Sequence, residues 1–437
     1  MSTRRTTQIF CASTLYGAVT IAAALDSGCF ATAGRRILLV TNNAAVPETT
    51  PPLDEAEGFD RLRGRFDSVL SWNETISPLH PGGWTPRPSD LPLLQRHLRK
   101  LWNLGDDRVE LALESPQVTP ALAIAQLLPD APVTVYADGL MSYGPTRNKI
   151  DPLIGGRVGR LLHLDLVPGL APLLLAEFGA VAETVPTEAF TKVVEELTGP
   201  AAAGDGPALL LGQYLAALNL LTAAEEEELH LRMVRGAIAL GHRRLVFKPH
   251  PTAPDAWSRT LVREAADLGA ELTVEDRPVL AEVLYGELRP ALVVGCFSTA
   301  LMTARTFYGL PVARVGTGTL LERLTPFQNS NRIPLTVVDA VVPPLEEGAA
   351  AVPEIGTDQL NDLVAAVGFA MQPRIRPELR EPAVRHLSGP LAERTRHHFT
   401  RRRLTVLNLP GGIPLPRHPK VRRLARRALR LRRALKR

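Results

Sequence analysis

The sequence predicts an α/β protein built from two doubly wound, Rossmann-like domains. Three observations carry that prediction. Short apolar segments alternate with amphipathic ones through the first 198 residues, as in a parallel sheet with helices on both faces. The run Thr198-Gly-Pro-Ala-Ala-Ala-Gly-Asp-Gly-Pro207 then interrupts the pattern with linker composition. From Ala208 the alternation starts again. A chain of 437 residues, 45% of them hydrophobic, is long enough to bury two such cores.

The first strand is Gln8–Ala12. Ser13-Thr14 offers a cap, Leu15–Leu25 an alanine-rich helix, and Asp26-Ser27-Gly28 its stop. Arg4-Arg5 ahead of this apolar stretch also resembles the head of a signal peptide. The immediate return to an apolar strand, Arg36–Val40, instead fits a βαβ unit. Strands at Ser68–Trp72, Val109–Leu113, Val133–Tyr136 and Leu161–Leu166 follow, with helices such as Leu91–Leu104 and Pro120–Leu128 between them. The second half reads as strands at Ala208–Gly212, Leu245–Phe247, Glu271–Val274, Ala291–Gly295 and Pro311–Val315. Thr222 and Glu225 form a capping box for a helix running to about Leu240, and the acidic run Glu225–Glu228 suits the positive end of its dipole. Helices near Asp255–Leu268, Val279–Tyr285 and Ser298–Tyr308 complete the pattern. Domain limits are placed at 1–198, 207–375 and 376–437, the last a Pro- and Arg-rich segment.

Cys11, Cys29 and Cys296 are scattered, giving neither a disulfide framework nor a zinc spacing, and they suit a reducing cytoplasm. No apolar stretch reads as a transmembrane helix. The formal charge of +5 conceals an asymmetry: sixteen basic residues and no acidic ones follow Glu393, which leaves residues 1–393 with a net charge near −11.

Chemistry concentrates at predicted strand ends. The strand ending at Phe247 delivers Lys248-Pro249-His250-Pro251, a lysine and a histidine fixed between prolines. The chain has only six lysines, so a lysine at this corner is a stronger signal than any of its arginines. Lysine supplies a point charge, and imidazole can donate a hydrogen bond or a proton to a leaving oxygen. About fifty residues on, Gly295-Cys296-Phe297-Ser298-Thr299 runs from a strand end into a helix start, which offers free N–H groups and two hydroxyls to an anion. Taken alone, that segment is equally an ordinary N-cap. In the first half, Ala137-Asp138-Gly139 ends one strand and Glu114 ends a neighbouring one, which sets two carboxylates on one sheet edge. Either can act as a general base, although Asp-Gly alone also reads as a turn. The chain contains no Asp-x-Asp pair, so a metal-independent reaction without a cofactor is expected.

The order of the motifs (carboxylate-Gly in the first domain, then His-Pro, then Ser-Thr in the second) resembles the bacterial sialyltransferases of GT-B fold, and most closely the α-2,8-polysialyltransferase-like family, over about residues 7–340. The resemblance implies an active site between two domains and inverting transfer of sialic acid from CMP-sialic acid to a glycan acceptor. It implies Asp138 as general base, with His250, Ser298 and Thr299 holding the phosphate beside Lys248, Pro251, Gly295 and Gly139. Glu282 resembles the acidic residue that contacts the ribose. A role in capsule or surface polysaccharide synthesis is implied as well. One departure stands out: the family places two acidic residues before the glycine, and here the first is Ala137, which leaves Asp138 or Glu114 as the base. The other readings are a CDP-glycerol-type phosphotransferase and an inactive nucleotide- or glycan-binding protein.

Beyond Pro419, Val421, Leu424, Ala428, Leu431 and Leu435 repeat at helical spacing among arginines. This basic amphipathic pattern predicts attachment to an anionic membrane surface, peripheral on the inner face of the plasma membrane. No aromatic residue interleaves in it for base stacking, which argues against nucleic acid.

Overall fold

In the computed structural model, which describes residues 4–137, 139–201, 206–250, 255–345 and 355–413, twelve strands are assigned to two separate parallel sheets. The first sheet contains β1 (Thr6–Ala12), β2 (Arg35–Val40), β3 (Ser68–Ser71), β4 (Arg108–Leu113), β5 (Val133–Ala137), β6 (Val158–Leu164) and β7 (Val181–Val185). Their spatial order is 3-2-1-4-5-6-7. β1 is the hinge of that order, paired with β2 from Thr7↔Arg35 and with β4 from Thr6↔Arg108. Its Ile9, Phe10, Cys11 and Ala12 are buried, because a central parallel strand has helices over both faces. The residues that invited comparison with a signal peptide thus form the middle strand and the first helix, Leu15–Asp26, which is buried from Gly17 to Leu25.

The second sheet contains β8 (Ala208–Leu211), β9 (Arg244–Lys248), β10 (Glu271–Val274), β11 (Leu292–Gly295) and β12 (Val312–Arg314), in the order 10-9-8-11-12. β8 and β11 are buried along their whole length. Both sheets therefore wind outward from a central strand in two directions. Each has a switch point, between β1 and β4 and between β8 and β11, where ligands bind at the carboxyl ends of the strands.

Helical segments from the last part of the chain join the two halves. Helix Thr357–Met371 follows the second domain, yet Asn361 Nδ2 donates to the Gly169 carbonyl at 2.9 Å. Just beyond it, Gln372 Nε2 donates to the Arg147 carbonyl at 2.8 Å and Arg376 Nη1 to the Leu173 carbonyl at 2.7 Å. The linker-like run is described only at its ends, where the Gly199 amide bonds Glu287 Oε1 at 3.0 Å.

Candidate active site

The carboxyl ends of both sheets open onto one cleft of about 890 Å³. On the first-domain wall, the neighbours β1 and β4 bring Ser13 and Glu114 together at the switch point. Glu114 Oε1 accepts the Ser13 amide (2.9 Å) and hydroxyl (3.1 Å), and Oε2 accepts the same hydroxyl at 2.9 Å. These bonds fix the direction in which the carboxylate faces the cleft. The helix that starts beside it is capped by Thr14, whose hydroxyl accepts the Gly17 amide at 3.0 Å. Gly17 leaves room for this cluster: a Cβ there would lie 3.0 Å from Glu114 Oε1 and 3.3 Å from the Tyr136 hydroxyl.

β5 runs beside β4 and ends at Ala137, which also lines the cleft. Asp138 lies outside the described residues. Gly139 follows at a close approach of the two domains, since a Cβ at that position would lie 3.1 Å from Thr299 Oγ1. The same hydroxyl accepts the Leu140 amide at 3.5 Å.

On the second-domain wall, β9 ends at Lys248 and the cleft is lined by Lys248 and His250. The His250 ring stands 6.2 Å from that of Tyr214, which meets Trp257 edge-on at 5.8 Å. Partial burial, and then the charge of Lys248, hold the imidazole below the usual histidine range. Burial also lowers Lys248, whose Nζ donates to the Arg277 carbonyl at 3.2 Å. Pro251 lies outside the described residues.

β11 is central to the second sheet and ends at Gly295 against the side chain of Leu301. Ser298 is the N-cap of helix Thr299–Phe307 and accepts the Ala300 amide at 3.2 Å. Both Ser298 and Thr299 line the cleft. The two strands at this switch point are tied by the Phe297 amide, which donates to Gln213 Oε1 at 2.9 Å. Glu282 sits in the first turn of helix Ala281–Leu288, with its carboxylate turned inward to accept the Thr303 hydroxyl at 2.6 Å. Burial raises its pKa above the usual carboxylate range.

The structure thus brings Glu114, Gly139, Lys248, His250, Glu282, Ser298 and Thr299 to one cleft. It adds two residues that sequence reasoning did not single out. Gln213 follows the end of β8, and no local motif marks it. Arg147 lines the first-domain wall, and its guanidinium meets no hydrogen-bond or ion-pair partner among the described residues. Burial lowers its pKa. Among forty-four arginines, one more carries no signal in sequence. In chemical terms, one wall offers an oriented carboxylate and the other a cation, an imidazole and a helix start.

The sequence model of the alpha-2,8-polysialyltransferases matches residues 8–317. No match to a curated protein was found. Among solved structures, the chain is similar to the GT-B domain of a sialyltransferase from Photobacterium damselae, with a TM-score of 0.42, 11% identity and coverage of 79% of this chain and 97% of that one. It is also similar to Acinetobacter baumannii MurG, with a TM-score of 0.40, 13% identity and coverage of 90% and 97%. A Thermobaculum terrenum O-GlcNAc transferase gives a TM-score of 0.37 and 14% identity, and the chain spans 66% of that protein while 90% of its own length is covered.

Proposed function

The chain belongs to the alpha-2,8-polysialyltransferase family, and on that premise we propose that it moves a sialic acid from CMP-sialic acid to a glycan hydroxyl in this cleft, with inversion and without a metal. The observation that carries the reading is the opposition of an oriented carboxylate, Glu114, to the Lys248–His250 and Ser298 strand ends across one cleft.

In the proposed reaction Glu114 or Asp138 takes the proton of the acceptor hydroxyl. The oxygen then attacks the anomeric carbon from the face opposite the phosphate. The bond from that carbon to the phosphate oxygen breaks through an oxocarbenium-like state, and CMP departs with the bonding pair. His250, the cation of Lys248 and the helix start at Ser298 meet the charge that grows on the phosphate. CMP carries a single phosphate, which suits a clamp made of protein groups. Arg147 is a half-buried cation without a counter-ion among the described residues, and it fits a sugar carboxylate, which a planar guanidinium can hold with two hydrogen bonds. The basic pattern of residues 419–437, which lie outside the described residues, supports the further proposal of attachment to an anionic membrane surface.

The test is thermal protection by candidate donors, followed by product analysis. CMP-sialic acid is expected to raise Tm, with CDP-glycerol and UDP-sugars giving no comparable shift. His250→Ala is expected to lower transfer by about 100-fold or more with the fold retained. Protection by CDP-glycerol instead, or full turnover by His250→Ala, overturns the assignment.

A further inference from the structure

Outside the cleft, three side chains from two distant segments meet. Helix Arg332–Val341 presents Asp339, and the short turn Arg396–His398 presents two adjacent histidines. His397 Nε2 lies 2.6 Å from Asp339 Oδ2, and His398 Nε2 lies 3.5 Å from the same oxygen. The two imidazole rings are 4.2 Å apart, and all three potential ligand atoms fall within 4.8 Å of one another. The other carboxylate oxygen is held from behind. Thr317 Oγ1 donates to it at 2.6 Å, and Arg314 Nη1 stands 3.0 Å away.

Hydrogen bonding engages the two histidines unequally. His397 is close enough to Oδ2 for a strong hydrogen bond, whereas His398, at 3.5 Å from the same oxygen, is held only loosely. His398 is 1% exposed. Protonating it as well would set two cations with touching rings side by side. A divalent ion would hold the three groups together, taking the Nε2 lone pairs of both neutral rings and one carboxylate oxygen. With metal–ligand distances of about 2.0–2.2 Å, ligand atoms around a tetrahedral zinc lie roughly 3.4 Å apart. The His398–Asp339 separation of 3.5 Å already fits. His397 must withdraw by less than about 1 Å to exchange its proton for the ion, and its side chain, 41% exposed, has room to do so.

We propose that Asp339, His397 and His398 form a zinc-class divalent metal site. Water from the His397 side fills the fourth position, and Thr317 with Arg314 orients the carboxylate by holding its other oxygen. The site is structural. It ties the segment around residue 397 to the helix whose first turn, through Ile333 and Pro334, lines the cleft.

The experiment uses untagged full-length protein stripped with a chelator, then titrated with zinc sulfate near neutral pH. One zinc per chain and a rise in Tm are expected. His397→Ala, a half-exposed position that the fold tolerates, is expected to weaken zinc binding at least about tenfold, whereas His242→Ala leaves it unchanged. Cobalt(II) gives a reading without any substitution, since four-coordinate binding produces intense visible bands. Absence of stoichiometric zinc, equal binding by His397→Ala and the wild type, or a weak octahedral cobalt spectrum would each overturn the proposal. None of these readouts depends on sialyl transfer.

Discussion

Glu114 owes its position to sheet order. Only because β4 runs beside β1 does the residue after β4 meet the Ser13 amide and hydroxyl. Glu114→Gln keeps an oxygen to accept those bonds and removes the proposed proton acceptor. It is expected to lower kcat by about 10²–10⁴-fold while Tm and donor protection stay near wild type. Unchanged turnover in Glu114→Gln, together with loss in Asp138→Asn, would move the base to Asp138. His230 allows a prediction of stability. It is 2% exposed, neither ring nitrogen has a hydrogen-bond partner, and it packs edge-on against Phe247 and Trp257 at 5.1 and 5.9 Å. Burial pushes its pKa down to about 4 from an unfolded value of 6.5. The unfolded chain therefore binds the extra proton first. Stability due to this residue is fully present above pH 6.5 and is lost as the pH falls through about 4. The loss should be roughly 3 kcal/mol over that window. Denaturant titrations should show His230→Phe less sensitive to acid than the wild type, and parallel pH profiles would refute the account. The sequence could not reveal this histidine, because its helix is amphipathic whether or not one core position is an imidazole.

At the scale of elements, legibility followed local chemistry. The Thr222–Glu225 capping box was readable because both halves lie within one turn, and its bonds are present, with the Glu225 carboxylate accepting the Thr222 amide at 2.9 Å. Most strands were readable as apolar runs bounded by turn residues. β7 was not, because it is an edge strand whose Val181, Ala182 and Thr184 are exposed and whose Glu183 pairs with Arg160. Helix Arg332–Val341 was hidden for a different reason. Arg332 looks like a surface residue, yet it is fully buried, donating to the Phe327 and Leu324 carbonyls at 2.9 and 2.7 Å. Its charge is satisfied by loop carbonyls that no periodicity announces. The first helix illustrates a conflict between propensity and site. Gly17→Ala favours the helix by up to about 1 kcal/mol, but the added methyl would press on Glu114 Oε1 from 3.0 Å. The variant is expected to keep its Tm within a few degrees and to lose about tenfold or more in kcat, as displaced catalytic groups do. A variant with wild-type kcat would show that the position of Glu114 does not govern the rate.

For the whole molecule, the alternation of strands and helices was enough to anticipate two parallel sheets, and the strand-end motifs indicated which edges face each other. What the sequence could not convey is how the last part of the described chain is used. Helix Thr357–Met371 and the turn after it hold the first domain through Gly169, Arg147 and Leu173, contacts nearly two hundred or more residues apart in sequence. Such long-range bonds leave no local pattern. Charge is divided on the same scale. Residues 1–393 are acidic overall, whereas residues 414–437 contain eleven basic residues and no acidic one. An acidic body is repelled by an anionic bilayer, so any attraction must come from the basic segment, at about 1 kcal/mol per lysine or arginine near the surface. Apolar side chains at helical spacing would add to it. A protein ending at Ile413 is therefore expected to lose binding to phosphatidylserine-containing vesicles while retaining turnover on a soluble acceptor. Full-length binding should weaken as salt rises, because exposed charges are screened over about 10 Å at 0.1 M ionic strength. Co-sedimentation measures both effects. If the shortened protein pelleted with vesicles as well as the full-length chain does, membrane attachment would have to lie in the folded body, against its net charge.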